Sequence, residues 1–234
     1  DMPDLNWSKN AIASIGASGQ NNFTDAREAE ESTSSTINTT NSNTLASGFI
    51  RISSRGGAAF GFRRSYYAFD FTGYTTGTIT NLALHYTPTT TSSGTLSNRI
   101  AQFNGFGSGI ASNYGDEQWW GDIEDPLTPY SAAFNSADNT TAADVSLNST
   151  AISDAKADGY LKFVLMNATD YNNINLGVDV TSQTYWNQSS NKTFLRFTYV
   201  EAGYGNNIIG VPADGDNKII NVGYGNVEKV INVG

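Results

Sequence analysis

The chain has 234 residues, 15% of them charged and 38% hydrophobic, with 12 Tyr, 12 Phe and 4 Trp supplying core material and Ser, Thr, Asn and Gly filling most of the rest. That is an uncharged polar composition with ample aromatics, which argues against disorder and for an all-β protein. A net charge of −9 with only 13 scattered Lys and Arg excludes a phosphate-binding patch and disfavours anionic membranes, and the lack of cysteine removes disulfide and thiolate chemistry.

Residues 1–47 read as an N-terminal arm and polar loops: "DMPDLNWSKN" carries a lone Trp7, and "ESTSSTINTTNSNTLASG" is of low complexity without periodicity. Between them "TDAREAEE" predicts a short helix, with Thr24 as its cap and Arg27 one turn from Glu31. The chain opens on Asp1, as a processed chain or a fragment does.

From Gly48 the pattern turns to strands. "FIRIS" (49–53) and "AAFGFRR" (58–64) flank the turn signal "SRGG". "YYAFDF" (66–71) alternates, with Tyr67, Phe69 and Phe71 on one face and Tyr66, Ala68 and Asp70 on the other. "GTITNLALHY" (77–86) groups Leu82, Leu84 and Tyr86, and the turn cluster "TPTTTSSGTLSN" ends it. "RIAQFNGF" (99–106) predicts a further strand. Residues 107–150 read as long connections, and "STAISDAKADG" (149–159) as a short helix stopped at Gly159. "YLKFVLM" (160–166) then aligns Leu161, Phe163 and Leu165, and "TFLRFTYV" (193–200) aligns Leu195, Phe197 and Tyr199. About seven period-two strands with little helix predict an antiparallel, jelly-roll-like β-sandwich over residues 48–202.

Residues 203–234 form three 11-residue β repeats. Ile208, Ile219 and Val230 align, as do Ile209, Ile220 and Ile231, and Val211, Val222 and Val233. The intervening "PADGD" and "GYGNV" are turn-forming. Copies stacked ~4.8 Å apart would form apolar ladders, and burying each such side chain contributes roughly 1.5–3 kcal/mol. Three rungs are too few to enclose a core, so the tail is expected to be covered by sister chains, another protein or the sandwich.

"DEQWWGDIED" holds Asp116, Glu117, Asp122, Glu124 and Asp125, the residue types used for paired-acid glycoside hydrolysis or as oxygen ligands for structural calcium. One acidic loop lacks the convergence of separate elements that catalysis needs, so the expectation is a solvated loop, no catalytic residues, no enzyme and no required cofactor. Trp119 and Trp120, with Tyr114 and Tyr130, are candidates for a sugar-stacking platform, against a reading in which they plug the end of the sandwich. His85, the single histidine, lies mid-strand without a nucleophile elbow and reads as structural. One of Arg63 and Arg64 is expected to pair with Asp70 or another carboxylate. The Asn-x-Ser/Thr sequons at Asn6, Asn22, Asn38, Asn139, Asn148, Asn167, Asn187 and Asn191 read as chance in so Asn- and Thr-rich a chain.

"RRSYYAFDFTGYTTGTITNLALHY", "GYLKFVLMNATDY" and "KTFLRFTYV" resemble the strand grammar of carbohydrate-binding-module-like sandwiches, over roughly residues 48–200. The closing "NNIIGVP…NKIINVG…EKVINVG" resembles the stutter of tailed-phage virion proteins such as head fibres, decoration proteins and tail fibres. The second resemblance implies a virion-surface structural protein, homo-oligomeric and in contact with other virion proteins such as the major capsid protein. The first implies the alternative, a secreted, cell-surface or tail-fibre module binding cell-surface glycans. Neither implies nucleic-acid binding or membrane insertion.

Overall fold

The computed structural model describes residues 5–7, 11–28, 34–38, 44–92, 97–105, 123, 126–136, 141–187 and 192–200. The strands are β1 (Leu5–Trp7), β2 (Ala11–Gln20), β3 (Ser34–Asn38), β4 (Thr44–Ser54), β5 (Gly57–Asp70), β6 (Thr78–Tyr86), β7 (Pro88–Ser92), β8 (Asn98–Gln102), β9 (Ala143–Ser146), β10 (Tyr160–Asn167), β11 (Val180–Asn187) and β12 (Phe194–Val200). Three short α-helices, α1 (Phe23–Arg27), α2 (Ser149–Asp158) and α3 (Ala168–Tyr171), and a 3-10 turn at Thr72–Tyr74 join them. All described pairings between strands are antiparallel, and they build two sheets packed as an all-β sandwich. The smaller sheet runs β1-β12-β6-β9. The larger runs β3-β2-β5-β4-β11-β7, with β10 and β8 attached as a branch at β5.

The segment read as an arm is in fact woven into both sheets. β1 pairs with β12 through Leu5↔Phe197 and Trp7↔Leu195, and β2 lines β5 from Ala11↔Ala68 to Gln20↔Phe60. The sequence "AIASIGASGQ" of β2 alternates no large apolar residues, so its strand character comes from the neighbour it pairs with. β5 is one strand of 14 residues rather than two. The polar Arg64 and Ser65 at its middle are both satisfied inside the fold, Ser65 donating its hydroxyl to the carbonyl of Ala46 at 2.8 Å.

β5 organises the molecule because both its faces are buried. Tyr67, Phe69 and, just beyond its end, Phe71 join Leu82, Leu84 and Phe197 in the core between the sheets. Phe60, Phe62, Tyr66 and Ala68 face a second core on the opposite side, where Phe23 and Ala26 of α1 form the cover. β10 repeats the division, Leu161, Phe163 and Leu165 facing the first core and Val164 and Met166 the second. A strand apolar on both faces needs two covering layers, and α1 with its neighbouring connections supplies the third layer.

The larger sheet forks along one edge of β5. Gly57 to Arg63 pair with β4, whereas Ser65 to Asp70 pair with β10. Arg51 to Gly48 of β4 lie between β5 and β11, and beyond the fork Ser47 to Thr44 continue with β11, the register running from Arg51↔Val180 to Thr44↔Asn187 without a break. Leu45 and Phe49 lie four residues apart and so on the same side of β4, yet Leu45 enters the first core and Phe49 the second. The strand must therefore curl as it leaves β5, giving the half-barrel shape of this sheet. Gly48 sits at the bend, where an added Cβ would lie 2.6 Å from Gln183 Cγ and 2.7 Å from the Ser182 carbonyl oxygen. Polar contacts bridge the gap: Trp186 Nε1 donates to Ser47 Oγ at 3.1 Å, and Ser47 Oγ donates to Asn98 Oδ1 at 2.7 Å.

Candidate functional site

Of the four residues proposed as a sugar platform, Trp119, Trp120 and Tyr114 lie outside the described residues, as do the acids at 116, 117, 122, 124 and 125 and all nine apolar slots of the tail. Tyr130 is described, and it is a core side chain, 1% exposed. Its backbone amide donates to the carbonyl of Ile100 at 2.9 Å, which fastens the segment to the edge of β8. Its hydroxyl donates to Asp154 Oδ2 at 2.7 Å, and that oxygen also accepts from Gln102 Nε2 at 2.9 Å. Burial, reinforced by the Asp154 carboxylate, pushes the phenol well above its usual value. With its ring in the core, Tyr130 offers no open face to a stacking ligand.

The outer face of the smaller sheet carries the described cluster most like a reactive site. His85 on β6, Asp144 on β9 and Arg196 on β12 meet there because β6 lies between the other two strands and His85 is paired with both Asp144 and Phe194. His85 Nδ1 is 2.6 Å from Asp144 Oδ1, and Arg196 Nη1 donates to Asp144 Oδ2 at 2.6 Å. The imidazole stacks on Phe194 with centroids 4.4 Å apart, and the Arg196 guanidinium lies 5.7 Å from the same ring. An imidazole oriented by a carboxylate is half of a nucleophilic relay, and the other half is a hydroxyl on the far ring nitrogen. Among the described residues none hydrogen-bonds there, and the carboxylate is shared with Arg196. The arrangement is a cross-strand clamp that covers Phe194 and ties the short edge strand β9 to the sheet. His85 stands mid-strand in β6, held by Asp144 on one side and Phe194 on the other.

A buried ionic cluster lies on the second core. Arg64 on β5 holds Asp170 of α3 bidentately, Nε to Oδ2 at 2.7 Å and Nη2 to Oδ1 at 2.8 Å, and Nη2 also donates to the carbonyl of Arg27 at 3.0 Å. Arg27 of α1 returns its Nε to the Asp170 carbonyl at 2.8 Å. Arg64 and Asp170 are both fully buried. Burial alone would lower the Arg64 pKa, but the attraction of Asp170 and its hydrogen bonds leave it above its usual value. An arginine–carboxylate pair was expected here, and its partner is Asp170 rather than Asp70, which instead accepts from the amide and hydroxyl of Thr72. The cluster locks α1 and α3 onto the sheet.

A third polar group lies where β11 begins. Asp179 Oδ1 accepts from Ser53 Oγ at 2.6 Å, Ser53 N at 2.8 Å and Arg51 Nη1 at 2.8 Å. The Ser53 hydroxyl, followed by its amide and Arg51, holds this exposed carboxyl below the usual carboxylate range. Among the described residues no group of three or more His, Asp or Glu side chains converges as a metal site. No helix among them is long and apolar enough to cross a membrane.

Compared with known proteins, the chain matches no family model and no curated relative.

Proposed function

We propose that this protein is a non-enzymatic structural subunit of a tailed-phage virion exterior, a decoration or head-fibre component that displays its sandwich outward. The observation that carries this reading is the threefold repeat at residues 203–234, with its apolar slots in constant 11-residue register. Three such units have more apolar surface than they can enclose, and subunit association is the economical way to cover it. β1 and β2 pair within the sheets, and in this reading the terminal segments, above all the C-terminal repeats, serve attachment. Its partners in this reading are sister copies and other virion proteins such as the major capsid protein. Deleting residues 203–234 leaves every described strand intact, and the truncated protein should lose the assembled mass of the full chain in solution. An unchanged mass would overturn the proposal.

The adjacent Trp119 and Trp120 favour a second reading, a glycan-binding module on a tail fibre or a secreted protein. Binding on a glycan array that is lost on Trp119→Ala or Trp120→Ala would support it. A blank array with the full chain would remove it.

A further inference from the structure

We draw no further inference here: the strongest candidate, the exposed apolar surface patch of Ile52 and Val178 beside the Asp179–Ser53 contact at the end of the β4–β5 hairpin, carries nothing because the structure does not show what covers it.

Discussion

Asp170→Asn is the most incisive perturbation of this fold. The substitution preserves shape and the backbone carbonyl that receives Arg27, but it removes the charge that balances a fully buried guanidinium. Arg64 would then hold its charge out of water beside a neutral amide, with one of its two carboxylate bonds meeting an NH₂ group. Breaking a buried pair in this way costs about 3–5 kcal/mol. For a chain of 234 residues each kcal/mol shifts the melting temperature by about 2–4 °C, so a fall of roughly 6–20 °C is expected. Calorimetry and urea titration would both read it. A loss below about 1 kcal/mol for Asp170→Asn would refute the reasoning.

Two further outcomes are expected. Gly48→Ala drives a methyl into Gln183 and the Ser182 carbonyl at the fork, so it should cost about 1–3 kcal/mol in urea unfolding; Gly56→Ala, which meets open space, is the control, and equal midpoints would contradict the close approach. The Asp179 carboxyl is held below its usual range, so its stabilising contribution is present above the unfolded value near 3.9 and lost as pH falls through the folded value. The difference in melting temperature between the native protein and Asp179→Asn should therefore shrink in strong acid, and a gap constant from pH 7 down to about pH 2 would exclude the Ser53 contacts as its source.

The strands legible in the sequence were those whose inward positions are large and apolar. Tyr67, Phe69 and Phe71, then Leu161, Phe163 and Leu165, stand at the spacing of two that the pleat demands, and all six enter the first core. β11 carries no apolar alternation because Ser182, Gln183 and Thr184 are buried polar residues, leaving Trp186 as its one large core side chain. β9 contributes Val145 to the core with the small Ala143 packed beside it, and β7 begins with Pro88 in a Thr-rich run that reads as a turn. The helix starts have a local signal too. Asn22, Asn148 and Asn167 each cap a helix, accepting from the amides of Thr24, Ala151 and Thr169, so three of the sequons set aside as chance mark N-termini. The expected cap at Thr24 was two residues late. At the other end of α2 the stop at Gly159 was legible, because its φ of +70° is the left-handed conformation a glycine supplies. What no local pattern could reveal was the Arg64–Asp170 pair, whose partners are 106 residues apart.

The second core also bears on how the chain could attach to anything else. A sandwich with one bare apolar face would itself be a docking surface, and the tail would need no special role. Here the aromatic faces of β5 and β10 are covered on both sides from within the chain, by the smaller sheet and by α1 with its neighbours. Among the described side chains the large hydrophobic ones left exposed are Ile52, Ile174, Val178 and Val200. The described strands at the sheet margins are short as well, three residues in β1, five in β3 and β7 and four in β9, which limits the backbone they can offer to another chain. In the proposed reading the apolar demand lies in the repeats at 203–234, where Ile208, Ile219, Val230 and their companions recur. If that reasoning holds, the chain truncated before residue 203 should melt as cooperatively as the full protein and remain monomeric at every concentration tested. Self-association by the truncated chain would move the interface onto the sandwich and away from the tail.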